Sequence, residues 1–284
     1  MLTDKETLFL EEMANQIRET LIETLLEAKS GHSAGPLGMA DIFTAFYFNI
    51  LNHDPRKPNW EGRDRLVLSN GHICPIRYVT MAYAGYFPKK ELLTLRKLNT
   101  RLQGHPHRTS LPGVETTSGP LGSGLGQAVG MALAAKMDKK KHRVYCFTSD
   151  GEHDAGNTWE SLMFAGKNKL NNLTVVVDRN NIQIDGNTEN IMPLEPLRDK
   201  YESFGWHVLE IDGHNFTAII DAVNEAKAIY EKPTAIIAHT IPGKGVSFME
   251  RDYLWHGKPP SKEEAAEALR ELRTLGKRIE SEHQ

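Results

Sequence analysis

Four short apolar runs occupy the second half of the chain, at 143–149, 173–178, 206–211 and 234–238. Stretches with helical spacing separate them, at 157–170, about 195–204 and 216–231. Strand, helix, strand, helix is the pattern of a parallel sheet, because a chain that returns through a helix re-enters the sheet in the same direction. The expected fold is therefore α/β: a parallel sheet flanked by helices, with right-handed crossovers.

The first half fits that frame. Residues 5–29 carry Leu10, Met13, Ile17, Leu21 and Leu25 at helical spacing. Gly31 is expected to stop this helix, with Lys29 favourably placed near its C-terminal end. A second helix is expected over 41–51 with Asp41 as N-cap. Residues 64–72 (DRLVLSNGH) read as a strand and turn, and 75–100 as helical pieces. Residues 101–118 have no clean period and read as a long loop, a feature often functional in a compact domain. The stretch 119–138 reads as a helix with Gly122, Gly126, Gly130 and Ala134 four apart, a face expected to pack closely on another helix. A charged helical tail runs from about 261. No linker or repeat breaks the chain, so 1–284 is expected to be a single domain.

Composition narrows the function. With 39% hydrophobic and 25% charged residues, the 284-residue chain has the makings of a sizeable core. A formal charge of −3 argues against nucleic-acid or polybasic membrane partners. Cys74 and Cys146 form no metal-binding or disulfide pattern. The charged N-terminus lacks a secretory signal and no apolar stretch approaches a membrane span, so a cytoplasmic location is expected.

In open α/β sheets, ligands sit at the carboxyl ends of strands. Two successive runs end in polar signatures: Ser149-Asp150-Gly151, and Asp178-Arg179-Asn180-Asn181. A carboxylate, an amide oxygen and backbone carbonyls are hard donors that suit magnesium shared with a phosphate group. The plain alternative is that Asp150 caps the helix beginning near Asn157 and that Asn180-Asn181 only turn.

Asp-Gly at one strand end followed by Asn thirty residues later resembles the thiamine diphosphate signature. Further segments resemble transketolase in order along nearly the whole chain: KSGHSAGPLGMAD (29–41), LSNGH (68–72), GHP (104–106), GVETTSGPLGSG (113–124) and IPGKGVSFME…WHGKPP (241–260). The resemblance implies the diphosphate-binding fold of that family, with thiamine diphosphate and Mg2+ as cofactors and Ca2+ or Mn2+ able to replace the latter. Asp150, Asn180 and the backbone of Ile182 would hold the metal, and Gly151 would lie at the diphosphate. His105 would hold the donor's first hydroxyl. His32 and His256 would contact its reacting hydroxyls and help move protons, with His256 also near the diphosphate. His72 would sit between diphosphate and substrate. Gly119 matches a position whose backbone approaches the cofactor's pyrimidine, and Leu121 one that also lines the cofactor. The remaining histidines, His153, His207, His214 and His239 among them, read as turn, surface or packing residues, and His105-Pro106-His107 lacks a third ligand for zinc.

The implied reaction moves a two-carbon ketol unit from a ketose phosphate to an aldose phosphate, as in the pentose phosphate pathway. The resemblance ends with the chain, before the family's pyrimidine-binding domain. A separate C-terminal transketolase subunit carrying that domain is the implied partner, with self-association to a heterotetramer and sugar phosphates as ligands. Two departures stand out: Ser149 replaces the usual first glycine, and Ala155 replaces a glutamate of an acidic network between paired sites. The other readings are another thiamine-dependent sugar-phosphate synthase, a dehydrogenase-type α subunit, or a non-catalytic assembly subunit. The four-histidine set argues against the second and third of these, and the 29–41 and WHGKPP segments against the first.

Overall fold

A computed structural model describes residues 2–274. Its centre is a five-stranded parallel sheet built from β1 (Arg65–Leu68), β2 (Val144–Ser149), β3 (Leu173–Arg179), β6 (His207–Asp212) and β7 (Thr234–His239), in the order β1-β2-β3-β7-β6. Between β3 and β6 the short β4 (Ile182–Gln183) and β5 (Gly186–Asn187) form a separate antiparallel pair. All five expected runs are strands of one sheet. β2 and β3, at its middle, are buried along their whole length.

The strand alternation divides the core into two layers. Tyr145 and Phe147 of β2 face one hydrophobic cluster, while Val144 and Cys146 face the other. The first layer holds α1 (Asp4–Ala28), α2 (Ala34–Gly38), α3 (Ala40–Ala45), α4 (Cys74–Tyr83), and, further along, α9 (Phe216–Ala228) and α10 (Lys262–Thr274). The second holds α5 (Ser123–Met137), α6 (Gly156–Lys167) and, after the short α7 (Thr188–Ile191), α8 (Leu197–Ser203). The expected tail helix is α10, which packs on α1 and is tied to it where Asn15 donates to the Leu272 carbonyl at 3.1 Å. The part of the tail beyond residue 274 lies outside the described residues.

Three boundaries differ from the sequence expectation. α1 begins with a reciprocal capping pair between Thr3 and Glu6 and ends at Lys29, which itself takes the left-handed turn (φ 51°) two residues before Gly31. The second helix starts at Ala40, so Asp41 lies inside it and caps nothing. α5 starts only at Ser123, because Gly122 has φ 80° and its missing Cβ would strike the Asn157 side chain. The glycine face also departs from expectation. A spacing of four overshoots the 3.6-residue turn, so the line of small residues winds round the helix. Gly122 and Gly126 face Asn157 and Ser161 of α6, but Gly130 and Ala134 are exposed, and Gly124, off that line, is the glycine packed against Ser69.

Asp41 is instead the centre of a buried polar cluster. Arg18 donates from both terminal nitrogens to its two oxygens at 2.8 and 2.6 Å, and His214 Nδ1 donates at 2.7 Å. His214 Nε2 in turn accepts from the Ile241 backbone at 2.8 Å, which fixes the tautomer. Burial opposes ionisation of Asp41, but Arg18 and His214 prevail and hold its pKa down at about 2. This cluster joins α1, α3 and the loop after β7. Asp41→Ala would strand Arg18 as an unpaired buried charge and is expected to cost about 3–5 kcal/mol in urea unfolding. The Arg18→Leu/Asp41→Leu pair is expected to cost less. Because the folded pKa is depressed, the cluster's contribution is present above pH ~4 and lost as pH falls toward 2, where the difference between wild type and Asp41→Ala should shrink.

Candidate active site

Register places the polar ends together. Ser149 of β2 lies beside Asp178 of β3, which lies beside Ala238 of β7, so the three strands finish level. Asp150 leaves β2 fully buried. Its Oδ1 accepts from the Gly151 backbone at 2.7 Å. Its Oδ2 accepts from the Asn181 backbone at 2.7 Å, Arg179 Nη1 at 3.0 Å and Thr188 Oγ1 at 3.3 Å. Burial pushes the Asp150 pKa up, against the pull of Arg179 and the backbone N–H groups. Asp150 does not cap α6: that helix begins after Ala155 with no side-chain cap.

Asn181 adopts φ 63°, a left-handed turn that asparagine tolerates. The turn sends Asn180 and Ile182 toward one cavity. Asn180 Oδ1 accepts from the Ile182 backbone at 3.0 Å, and its Nδ2 donates to Asp178 Oδ2 at 2.9 Å. Asp178 also accepts from Thr240 Oγ1 at 2.5 Å, and burial raises its pKa to about 7.

The cavity has a volume of about 390 Å³. His32, His72, His105, His256, Gly119, Leu121, Gly151, Asn180 and Ile182 all line it, with Asp150 buried behind Gly151. The ring centroids of His32, His72 and His256 form a triangle with sides of 5.0, 5.1 and 5.5 Å. Two segments far apart in sequence are stitched together to build it. Ser33 Oγ donates to the Lys258 carbonyl at 2.6 Å and Gly243 N–H to the Ala34 carbonyl at 2.8 Å. A Cβ on Gly38 would come within 2.8 Å of the Ile241 oxygen, so only glycine allows the approach. The aperiodic loop at 101–118 is held by the Tyr78 hydroxyl on the Gln103 carbonyl (2.9 Å), by Arg96 on the Gly104 carbonyl (3.3 Å), and by the buried Arg63–Glu115 pair. His105, itself exposed, thereby lines the cavity, whereas the equally exposed His107 turns to Ser110 at 2.9 Å.

Burial favours the neutral form of these imidazoles. It pushes His32 down to about 4, with help from His256, Arg96 and His105, and His72 well below its usual value. His105 and His256 are lowered as well. Neutral imidazoles can both donate and accept, which suits the handling of hydroxyl protons. His32 Nδ1 is buried with no hydrogen-bond partner among the described residues. Gly119 has no described atom within 4 Å of where a Cβ would stand, and Leu121 is 41% exposed at the cavity mouth. These unmet surfaces fit a bound ligand better than packing within this chain. The donors at the strand ends are all hard oxygens, and among the described residues no group of three His, Cys, Asp or Glu converges for a softer metal.

Several wall residues had escaped the sequence reading. Gln183, Ile184 and Asp185 line the cavity after Ile182. Behind it, the buried Glu152 carboxylate accepts from Ser69 Oγ, Gly122 N–H and, at 3.3 Å, Ser149 N–H, joining β1, α5 and β2. In sequence Glu152 stands out, with Asp154 and Glu160, only as an acidic residue near Ala155. Asp154 is engaged by Gln183 at 3.1 Å and Glu160 is exposed, so the half-buried Ala155 has no acidic replacement at its own position.

A family model described as transketolase, thiamine diphosphate binding domain, matches residues 10–277. The chain belongs to the transketolase family. It is 43% identical over 267 residues to the 6-deoxy-6-sulfo-D-fructose transketolase subunit of Clostridium sp. (strain MSTE9), covering 94% of this chain and 97% of that one. It is 40% identical to an apulose-4-phosphate transketolase subunit of Phocaeicola vulgatus, covering 98% of each. The solved transketolase of Campylobacter jejuni superposes with a TM-score of 0.88 at 35% identity, over 93% of this chain but 42% of that one. The chain thus matches the subunit-type relatives almost end to end and spans less than half the length of the single-chain enzyme. It is the N-terminal, thiamine-diphosphate-binding part of a transketolase.

Charge around the transketolase histidines is set partly by Arg96, whose guanidinium disfavours protonation of His32 and His105. Arg96→Gln is therefore expected to raise both pKa values, read by NMR of ring-labelled protein. His32 in the wild type should titrate near pH 4. A normal value near 6.5 would mean that the ring is solvated and not walled in as described.

Proposed function

We propose that this chain is the N-terminal subunit of a split transketolase that transfers a two-carbon ketol unit from a ketose phosphate to an aldose phosphate, completed by a separate C-terminal subunit. The observation that carries the reading is the convergence of Asn180 and four histidines on one cavity at the carboxyl ends of parallel strands, with Asp150 buried directly behind its wall. The names of the two subunit relatives support it, since both are transketolase subunits named for modified sugars.

Thiamine diphosphate, when bound, supplies the electron sink for carbon–carbon cleavage. Asp150, Asn180 and the Ile182 carbonyl would hold its Mg2+, or Ca2+ or Mn2+ in its stead, and Gly151 would leave room for the diphosphate. Gly119 and Leu121 would bear on its pyrimidine. His105 would orient the donor's terminal hydroxyl. His32 and His256 would accept and return hydroxyl protons through ring nitrogens kept uncharged by burial. His72 would keep water from the diphosphate end. The unpartnered His32 Nδ1 is a donor or acceptor waiting for such a group. The subunit-type relatives support the rest: the chain covers 97% and 98% of two proteins that are themselves named as transketolase subunits. The partner would carry the pyrimidine-binding domain, in a heterotetramer with two copies of each subunit. Phosphorylated sugars and two buried free thiols fit a cytoplasmic setting, and among the described residues no helix is long and apolar enough to cross a membrane.

Ketol transfer from xylulose 5-phosphate to ribose 5-phosphate, with thiamine diphosphate and Mg2+, is expected only when the chain is combined with its C-terminal companion. Absence of transfer from a verified complex with bound cofactor would favour another sugar pair or a non-catalytic subunit marked by Ala155. Asp150→Ala is expected to abolish metal-dependent cofactor binding in calorimetry, and unchanged affinity would remove the metal assignment. His105→Ala is expected to raise KM for the donor with cofactor affinity retained.

A further inference from the structure

We propose that Asp178 is a positioning residue that decides which end of the Asn180 amide faces the cavity, and so makes Asn180 an oxygen donor. The inference rests on the proposed reading that Asn180 holds the metal. An asparagine amide has an oxygen and an NH2 of nearly equal size, so packing alone does not choose between its two orientations. Only the oxygen can ligate a hard cation. The choice must come from hydrogen bonds.

Asp178 lies two residues before Asn180, on the same side of an extended chain. Both Asp178 oxygens accept here, Oδ1 from Thr240 Oγ1 and Oδ2 from the Asn180 amide. With Asp178 Oδ2 at 2.9 Å, the side of the amide turned to it must be the NH2. The Ile182 N–H, 3.0 Å from Asn180 Oδ1, makes the same demand from the other side, leaving a second oxygen lone pair for the cavity. Asp178 is itself fixed by Thr240 Oγ1 at the end of the neighbouring strand β7. The chain Thr240–Asp178–Asn180 therefore carries orientation from one strand to the next. Outer-shell partners that orient metal ligands typically change affinity about 10–100-fold when replaced.

In Asp178→Asn, Thr240 can donate to the new amide's oxygen, which turns its NH2 toward Asn180 and favours the flipped orientation there. Mg2+ binding at saturating thiamine diphosphate would be measured by calorimetry on the full chain, by itself and with its companion subunit. The expected result is an affinity about 10–100-fold weaker, with the urea midpoint little changed. The second variant separates positioning from structure. In Asp178→Asn/Asn180→Asp the ligand is a carboxylate with an oxygen at either end, so the roughly 10–100-fold loss is expected to be largely recovered. Wild-type affinity in Asp178→Asn, or no recovery in the double variant, would overturn the proposal. Side-chain amide NOEs in the wild type give a reading free of any substitution. The Asn180 NH2 protons should lie beside residue 178, and NH2 protons facing the cavity would overturn the proposal even if the variants fail to fold. A wild-type protein that binds no Mg2+ in either setting would instead remove the metal reading itself, and this inference with it.

Discussion

The level finish of β2, β3 and β7 is the constraint on which the site depends. Backbone hydrogen bonds lock Ser149 beside Asp178 and Asp178 beside Ala238. Every residue that leaves these strands therefore emerges at one height. Side chains as far apart as Asp150, Asn180 and Thr240 then need no long reach to meet. The strand interiors keep this register because they are buried on both faces, and a one-residue slip would exchange Tyr145 and Phe147 with Val144 and Cys146 between two differently shaped layers. Stability and site geometry are here the same fact.

Gathering so many polar groups in a buried place needs compensation, and the structure uses a different means on each side of the cavity. On the strand side the charges remain and are paired. Arg179 faces Asp150 and extends its other nitrogen to Glu189 (2.6 Å) and Glu195 (3.0 Å), while Glu152 takes three donors from three elements. On the histidine side burial lowers the pKa values and so favours uncharged rings. A neutral wall facing a wall of oxygen donors leaves the cavity with little fixed positive charge of its own: Arg179 is paired with carboxylates, and Arg96 acts only from beside His32 and His105. On the proposed reading, a divalent cation would then be the principal charge meeting a diphosphate.

Much of the frame was legible because it rests on local rules. Strand residues such as Val175 and Val177 are apolar in an unbroken run because they lie in a parallel sheet, and that run is visible in sequence. The candidate site residues came from a resemblance spread along the whole chain, and the structure sets all but the buried Asp150 along one cavity. What stayed hidden depends on distant partners. Asp41 looked like a helix cap because nothing near it in sequence reveals Arg18 and His214 converging on it. The start of α5 moved because Gly122 must make room for Asn157, thirty-five residues on. Ile184 and Asp185 resemble any loop residues until the Asn181 turn carries them to the cavity mouth.

The cavity's two ends differ in a way that bears on how it would work. Its floor is buried polar chemistry, whereas its mouth carries Leu121 at 41% and Ile184 at 71% exposure. Apolar side chains at the rim of a polar site contribute nothing to binding a phosphate, and they gain by being covered. Water left in an open cleft would also screen the Asp150 and histidine interactions that the floor is built to provide. A second surface laid over Leu121 and Ile184 resolves both at once: it buries the rim and dries the floor. On the proposed reading, closing the site and supplying the missing half of the cofactor pocket are one event, so the need for a covering second surface follows from the physics of the cavity.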